Sequence, residues 1–178
     1  MPQLRAQLKA LHADAFRWAL HQARDPALAE DALQAAYVAL LDGSATCRDS
    51  SAFKSFLFGL IRNKVRSLRR RQLFSRFTSL DLKALNDLAT TTAATPEPSS
   101  SDPRITALRQ AILELSPRQR DLIELVFYHE LTLDQAAHTL RINPGTARTH
   151  YDRAKRALRT HLNALEDACL ATTTSTTR

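Results

Sequence analysis

The sequence has 178 residues, of which 44% are hydrophobic and 24% charged, so it can hold one ordinary domain or two small ones with real cores. The 3 glycines and the 6% of aromatic residues argue against a β sandwich or barrel with many tight turns. Lys and Arg number 25 against 18 for Asp and Glu, and this net charge of +7 suits a polyanionic partner, either nucleic acid or a membrane surface.

Several classes of protein are excluded by what the sequence lacks. Cys47 and Cys169 are far apart and lack CxxC spacing, which argues against a disulfide framework and a cysteine-rich zinc site. The N-terminus does not resemble a signal peptide, and no run of about 18 apolar residues occurs. No catalytic motif, phosphate-binding glycine loop or close histidine pair is present. We therefore expect a soluble cytoplasmic protein that is not an enzyme, has no cofactor or metal and does not insert into a membrane.

The first half of the chain predicts three helices. The first has an apolar face with spacings of three and four, and Asp25-Pro26 is a start signal for the second, which ends near Gly43. Ser50 or Ser51 can cap the third. The inward residues predicted for the three helices are, in order, Leu4, Leu8, Leu11, Ala15 and Trp18; Ala29, Leu33, Ala36, Tyr37 and Leu40; and Phe53, Leu57, Leu60, Ile61, Val65 and Leu68.

A segment between the two halves is predicted to be a flexible linker. Residues 90–102 read TTTAATPEPSSSD and contain no large apolar residue that could offset the loss of chain entropy. The charge also changes here, because residues 1–76 carry 13 basic and 6 acidic side chains and residues 77–105 carry 2 and 4. We assign 1–76 and 105–166 to two folded domains, 77–104 to the linker and 167–178 to a disordered tail.

The second half predicts four more helices with clear start signals. Asp102-Pro103, Ser116-Pro117 and Asn143-Pro144 each open a helix, and Thr132 and Gln135 form a capping box for another that ends near Leu140. The predicted core residues of these helices are Ile105, Leu108, Ile112, Leu115, Leu122, Ile123, Val126, Phe127, Ala147, Tyr151, Ala154, Leu158, Leu162 and Leu165. No segment alternates like a strand, so the predicted fold is all-α, with two small helical domains.

The last two helices have the spacing of a helix-turn-helix. A short helix, 132–140, is followed by the tight connection 141–144 and a longer helix that can enter a major groove. Residues 141–161 contain six Arg or Lys and one Asp. The side chains predicted on the exposed, DNA-binding faces are Arg148, Thr149, Asp152, Arg153, Lys155 and Arg156. The alternative is a solvated cationic helix that closes an ordinary bundle.

A second basic stretch lies in the first half. Seven cations and no acid occur in 62–76, and Phe53, Phe56 and Phe58 precede them on the same helix. Cations beside aromatic residues fit single-stranded or melting DNA; the alternative is a solubilising run of charge. The cations are Arg62, Lys64, Arg66, Arg69, Arg70, Arg71 and Arg76.

The order of these motifs resembles the extracytoplasmic-function (ECF) group of the sigma-70 family of bacterial RNA polymerase sigma factors. The resemblance rests on AEDALQAAYVALL at 29–41, FKSFLFGLIRNKVRSLRRR at 53–71 and the stretch from LSPRQR to RAKRAL at 115–158. It covers roughly residues 1–165, and it implies a helical region 2 and a helical region 4 joined by a linker.

The resemblance also implies roles for individual residues. Asp31 and Gln34 match positions that bind the clamp helices of the largest polymerase subunit. Asn63 matches an asparagine that faces the −10 element, and we place Arg62, Arg66, Arg69 and Arg70 beside it. The loop 43–50 falls where a flipped −10 base is read. In region 4, Arg148, Thr149, Asp152 and Arg153 match positions that face the −35 element.

The chain departs from the family pattern at several positions. Ala35 and Ala36 stand where an acid and a threonine are usual, and the loss of acids from the surface that faces the polymerase is expected to weaken core binding. Ser67 replaces a usual aspartate, and Phe56 stands where a tryptophan is common. Asp152 stands where many members carry an aromatic or neutral residue, and it can accept from cytosine or repel a phosphate.

We therefore predict a sigma factor that binds core RNA polymerase, through the clamp helices and the β-subunit flap, and promoter DNA. An anti-sigma factor is a further partner, and the free protein is expected to be a monomer. One alternative is a dimeric helix-turn-helix activator, although the first half shows cations in place of a dimer seam. Another is a sigma-like adaptor that occupies a polymerase or anti-sigma surface without initiating transcription.

Overall fold

The computed structural model describes residues 2–78 and 103–174, with side chains for 3–74 and 105–163. These residues contain helices and connecting turns but no strand, which confirms the all-α prediction. The chain folds into two compact units, Met1–Thr95 and Pro96–Arg178, and each is described by itself. Most of the predicted linker, residues 79–102, lies outside the described residues.

The first unit contains four helices: α1 (Pro2–Ala10), α2 (His12–Ala23), α3 (Pro26–Leu41) and α4 (Phe53–Thr78). A short 3₁₀ turn, Ser50–Ala52, leads into α4. The sequence predicted one helix over the region of α1 and α2, but the chain breaks at Leu11, whose ψ is 1°. Leu8, Ala15 and Trp18 are nevertheless buried, so the predicted apolar face is the one that packs inward.

Trp18 holds α2 against α4 at the centre of this unit. Its ring is fully buried and stacks on Phe58, with ring centroids 5.9 Å apart. Its Nε1–H donates to the main-chain oxygen of Phe58 at 2.9 Å, which satisfies the one polar group of the buried indole. Towards the rim of the unit, Lys54 of α4 pairs with Asp14 of α2 at 2.9 Å.

The start of α3 follows the prediction, and the start of α4 differs from it. The Asp25 carboxylate accepts from the Leu28 N–H at 3.0 Å, and Pro26 occupies the first helical position. Before α4 the capping side chain is that of Asp49, which accepts from the N–H and the hydroxyl of Ser51. The prediction of a serine cap was therefore wrong, because the stronger carboxylate acceptor lies one residue earlier.

The second unit contains α5 (Pro103–Glu114), α6 (Pro117–Ile123), α7 (Leu133–Leu140) and α8 (Pro144–Thr174). A single π-helical turn, Glu124–Tyr128, continues α6. Two capping boxes are formed with both of their hydrogen bonds: Ser116 with Gln119 before α6, and Thr132 with Gln135 before α7.

The core of the second unit differs from the predicted set at several positions. Ala111 and Leu125 are buried, although neither was predicted. Phe127 is 62% exposed because it lies near the end of the π turn and stacks on the outer side of Tyr151, with centroids 6.1 Å apart. Ile105 and Leu162 are 38% and 37% exposed. Ile105 lies in the first turn of α5, where fewer neighbours cover it.

The end of α8 overlaps the segment predicted to be a C-terminal tail. Helix α8 continues to Thr174, past residue 167, where we expected disorder to begin. Residues 168–171 read ACLA and consist mostly of good helix formers, so the helix does not stop there. Residues 175–178, and the side chain of Leu165, lie outside the described residues.

The Asp25 cap allows a stability test because Trp18 is the one tryptophan of the chain and reports on the first unit alone. We expect Asp25→Ala to lower the free energy of unfolding of this unit by about 0.5–2 kcal/mol. The measurement is denaturant unfolding followed by tryptophan fluorescence. Asp25→Asn retains an acceptor oxygen and should stay within a few tenths of a kcal/mol of the parent. Equal losses for the two variants would contradict the capping role.

Candidate nucleic-acid interface

The turn between α7 and α8 is closed by a small set of main-chain bonds. Arg141 adopts the left-handed conformation at φ 53°, and its N–H donates to the His138 carbonyl at 3.1 Å. The next N–H, of Ile142, reaches back to the Ala137 carbonyl at 3.0 Å. Asn143 then caps α8, and its Oδ1 accepts from the Gly145 N–H at 2.8 Å. This geometry fixes the entry of α8 without needing a long loop.

Helix α8 packs through small side chains and keeps its long ones outside. Ala147 and Ala154 are fully buried, and Tyr151 is half-buried between them. Ala154 belongs to a core cluster with Leu115 and Ile123, so the inward face of α8 contacts the helices that precede the helix-turn-helix. The predicted binding side chains are all exposed, as their positions on the helix required: Arg148, Thr149, Asp152, Arg153, Lys155 and Arg156.

The exposed face of α8 is cationic on both of its flanks. With 3.6 residues per turn, Arg148 and Arg153 lie about 140° apart around the helix, one on each side of the outermost line. Lys155 is held over the Tyr151 ring, with its Nζ 5.5 Å from the centroid. The Thr149 hydroxyl donates to the Gly145 carbonyl at 3.0 Å.

The basic run on α4 is divided by the structure into different environments. Asn63, Arg66 and Arg70 fall on the outward face of the helix, together with half-buried Phe56. Arg66 and Arg70 are exposed and Asn63 is half-buried. A cationic face with an aromatic residue at one end is therefore present, and it is smaller than the sequence predicted.

Two of the predicted −10 residues do not belong to that face. Arg62 is 1% exposed and lies within the core of the first unit, so it is not on the exposed face of α4, and its role as a DNA contact stays a prediction. Arg62 and Arg66 are four residues apart and therefore lie on similar sides of α4. Arg62 is closer around the helix to the inward residues Ile61 and Val65, and it is buried with them. The Arg69 guanidinium donates to the Ala23 carbonyl and so closes the C-terminus of α2.

The loop between α3 and α4 is ordered by short-range hydrogen bonds. Gly43 adopts φ 78°, which its missing Cβ permits, and the Asp42 carboxylate accepts from the Ser44 N–H at 2.9 Å. Hydrogen bonds from Ser44 lower the pKa of Asp42, and those from the hydroxyl and N–H of Ser51 lower the pKa of Asp49. Cys47 donates from Sγ to the Asp49 carbonyl at 3.0 Å. The candidate base-reading loop therefore has anchored ends.

A third surface lies along α3. Asp31 and Gln34 are exposed on one face, and Val38 and Leu41 continue it at 60% and 37% exposure. The apolar continuation was missed by the sequence reasoning, although the spacing 31, 34, 38 and 41 is the signal that could have found it. Ala36 is fully buried, as predicted for the inward face of this helix.

Further observations on the described residues concern metal ligands, membrane spans and histidines. Within residues 3–74 and 105–163, no group of three or more metal-ligating side chains comes together. The helices in the described part of the chain are all too short or too polar to cross a bilayer. His161 of α8 pairs with Glu114 of α5 at 2.9 Å, and His12 Nδ1 lies 3.2 Å from the Tyr37 hydroxyl.

Comparisons with known proteins agree with this geometry. The family model described as Sigma-70 region 2 matches residues 8–73, and the one described as Sigma-70, region 4 matches residues 105–158. The chain is also similar to a chain of the co-crystal structure of the sigma factor RpoE in complex with the anti-sigma factor NepR from Bartonella quintana. That match has a TM-score of 0.67 and 18% identity, and it covers 92% of this chain and 98% of the other; it concerns the fold. No curated protein matches the chain.

The anchoring of the loop by Asp49 predicts a change in a measurable pKa. Ser51→Ala removes the hydroxyl donor, so the pKa of Asp49 should rise towards its usual value of 3.8. A carboxyl group with a lowered pKa stabilises the fold above its unfolded pKa and loses that contribution as the pH falls through the folded value. The variant should therefore lose less stability on acidification below pH 3.8.

An NMR titration of the Asp49 carboxyl carbon measures this shift directly. Ser51→Thr keeps the hydroxyl and is the matched control, for which the pKa should remain low. An unchanged pKa in Ser51→Ala would show that the hydroxyl does not hold the carboxylate.

Proposed function

Since the chain belongs to the sigma-70 family and, within it, to the ECF group of sigma factors, we propose that it binds core RNA polymerase and directs it to promoters with −35 and −10 elements. The observation that carries this proposal is that the two regions matched by the family each present an exposed cationic face, on α4 and on α8. A sigma factor needs both faces because it must bind duplex DNA and hold an opened strand.

Region 4 is proposed to read the −35 element as duplex DNA. Helix α8 enters the major groove with its exposed residues towards the DNA, and α7 lies across the backbone, as in other helix-turn-helix proteins. Arg148 and Arg153 on the two flanks can reach phosphates or guanine edges on either side of the groove. Lys155 and Arg156 lie further along the helix and add contacts to the phosphates.

Region 2 is proposed to capture the opened −10 strand. Asn63, Arg66 and Arg70 supply a polar and cationic track for the strand, and Phe56 offers an aromatic surface at its end. The loop 43–50, anchored by Asp42 and Asp49, is the candidate pocket for a flipped base. Arg62 is not part of this proposal, because it is buried.

The α3 surface is proposed to dock on the clamp helices of the largest polymerase subunit. Asp31 and Gln34 provide the polar contacts, and Val38 and Leu41 can bury apolar area beside them. Region 4 is proposed to contact the β-subunit flap as well. The similar RpoE structure contains the anti-sigma factor NepR, and we infer that an anti-sigma factor is a partner of this protein too.

Because the two regions are joined in one chain, weak contacts made by each region can together give stable binding to a promoter. Once one region binds on the polymerase surface, the other reaches its DNA element at a raised effective concentration. The affinity for a promoter with both elements should then exceed that for either element alone. Sequence choice depends on α8 and on the loop 43–50.

Run-off transcription with purified sigma-free core polymerase and a random promoter library tests the proposal. The expected result is defined start sites that appear only when the protein is added. A dimeric activator would elute as a dimer on size-exclusion chromatography and would bind duplex DNA in that form. It would not give these start sites with sigma-free core polymerase. An adaptor would bind the core enzyme and still give no start sites.

The role of region 4 predicts the effect of Arg153→Ala. Loss of one DNA contact of this kind costs about 1–3 kcal/mol, so transcription from the selected promoter should fall about 5- to 150-fold. Binding to core polymerase, measured by pull-down, should not change. Arg5→Ala, on the exposed side of α1, removes the same charge and should leave transcription near the parent level. An equal loss of core binding in Arg153→Ala would contradict the assigned role.

The role of α3 predicts the effect of Asp31→Ala. Removing this carboxylate from the docking face should weaken association with core polymerase, by several-fold or more if the group is desolvated there. The measurement is a core-binding titration with labelled protein. Asp134→Ala, an exposed carboxylate on α7, is the charge-matched control and should bind as the parent does. A titration of Asp31→Ala that overlays the parent would remove Asp31 from the interface.

A further inference from the structure

One acidic side chain lies on the outermost line of the cationic helix α8. At about 100° per residue, Gly145, Thr149, Asp152 and Arg156 follow one another along the side opposite the buried alanines. Gly145 has no side chain, and the Thr149 hydroxyl is bonded to the Gly145 carbonyl. Asp152 is therefore the first side chain on this line with a polar group free to project outwards, and it is exposed.

The Asp152 carboxylate stays available although cations surround it. It is the one acid in 141–161 among six Arg or Lys. Lys155, Arg156 and Arg159 line the same shallow groove as Asp152. Within the described residues the carboxylate makes no ion pair, and Arg156 instead directs its Nε to the main-chain oxygen of Asp152, 3.4 Å away.

These surroundings decide what the carboxylate can meet on DNA. Phosphates are attracted to Arg148 and Arg153 on the flanks of α8. The same phosphates repel the Asp152 carboxylate on the central line. A carboxylate is an acceptor only, so it needs a donor on a base edge. Its position opposite the buried face of α8 directs it towards the floor of the groove and away from the phosphates.

The major-groove edges of the four bases differ in how well they can donate a hydrogen bond to a carboxylate. Guanine presents two acceptors and thymine an acceptor and a methyl group, so both disfavour a carboxylate. Adenine presents a donor next to the N7 acceptor, which suits an amide better than an acid. Cytosine presents the N4 amino group with no acceptor beside it, and it is the base that fits Asp152.

We propose that Asp152 is a specificity-determining residue that selects one cytosine in the −35 element by accepting a hydrogen bond from its N4 amino group. This inference rests on the proposed function, because it requires α8 to read duplex DNA. It adds to that function a particular base preference, and it assigns a base to a residue that departs from the family pattern.

Selection of duplex DNA by the full chain bound to core polymerase tests the inference. The probe is a duplex library randomised through the −35 segment, selected in parallel by the parent, Asp152→Ala and Asp152→Asn, with Asp134→Asn as the charge-matched control. The parent and the control should select a cytosine at one common position. The two Asp152 variants should lose that preference and keep the preferences at the other positions.

A chemical substitution then tests the atom involved. Replacing the selected cytosine by an analogue that lacks the 4-amino group should lower the affinity of the parent about 5- to 150-fold, the range expected for one base contact. The same replacement should change the affinity of Asp152→Ala much less. A double-mutant cycle of this kind separates the N4 contact from general effects on the duplex.

The possible results distinguish a failure of the proposed −35 reading from a failure of the cytosine contact alone. If the parent selects no site at all, the proposed reading of −35 DNA fails. If the parent selects a site and Asp152→Ala retains the same preference at every position, the cytosine contact is refuted while the sigma function stands. Tighter binding of Asp152→Ala to all sequences alike, with unchanged preferences, would also refute it, because Asp152 would then act only by repelling phosphate.

Discussion

The burial of two methyl side chains, on Ala147 and Ala154, is the constraint on which the exposed cationic surface of α8 depends. Both are fully buried, and residues this small bring the axis of α8 close to the helices beneath it. The long side chains of the same helix do not fit in this close contact and therefore lie on its exposed side. The capped turn at Arg141–Asn143 adds to this constraint by fixing where α8 begins. Together they turn a sequence rich in arginine into an ordered surface with cations on its flanks.

A run of like charges in the sequence does not make one surface. In the first unit the same run supplies a buried core residue, Arg62, a closure for the end of α2, Arg69, and an exposed pair, Arg66 and Arg70. The division follows from the helical period, since residues one position apart point about 100° away from each other. Only part of the positive charge on α4 is therefore available to a nucleic acid strand.

The parts of the fold that could be predicted were those decided by nearby residues. The caps at Asp25, Ser116 and Thr132 depend on a side chain and a backbone donor a few residues away, and all three were predicted and confirmed. The exposure of the α8 residues proposed to bind DNA followed from their spacing. The exposure of Phe127 and the burial of Arg62 were not predicted because both depend on distant neighbours: Tyr151 stacks against the phenyl ring, and the core of the first unit encloses the guanidinium. The apolar end of the α3 face was missed because exposed Val38 and Leu41 look like core residues in sequence.

The aromatic stack on the outer side of α8 has a consequence for the lysine beside it. Phe127 supports Tyr151, and the Tyr151 ring in turn holds the Lys155 ammonium group. A surface lysine normally loses much rotational freedom when it binds, and this loss offsets part of what the contact contributes. Because Lys155 is already restrained in the free protein, less freedom is left to lose when a phosphate arrives. The π turn that carries Phe127 thus helps to preorganise Lys155 for the DNA contact proposed for it.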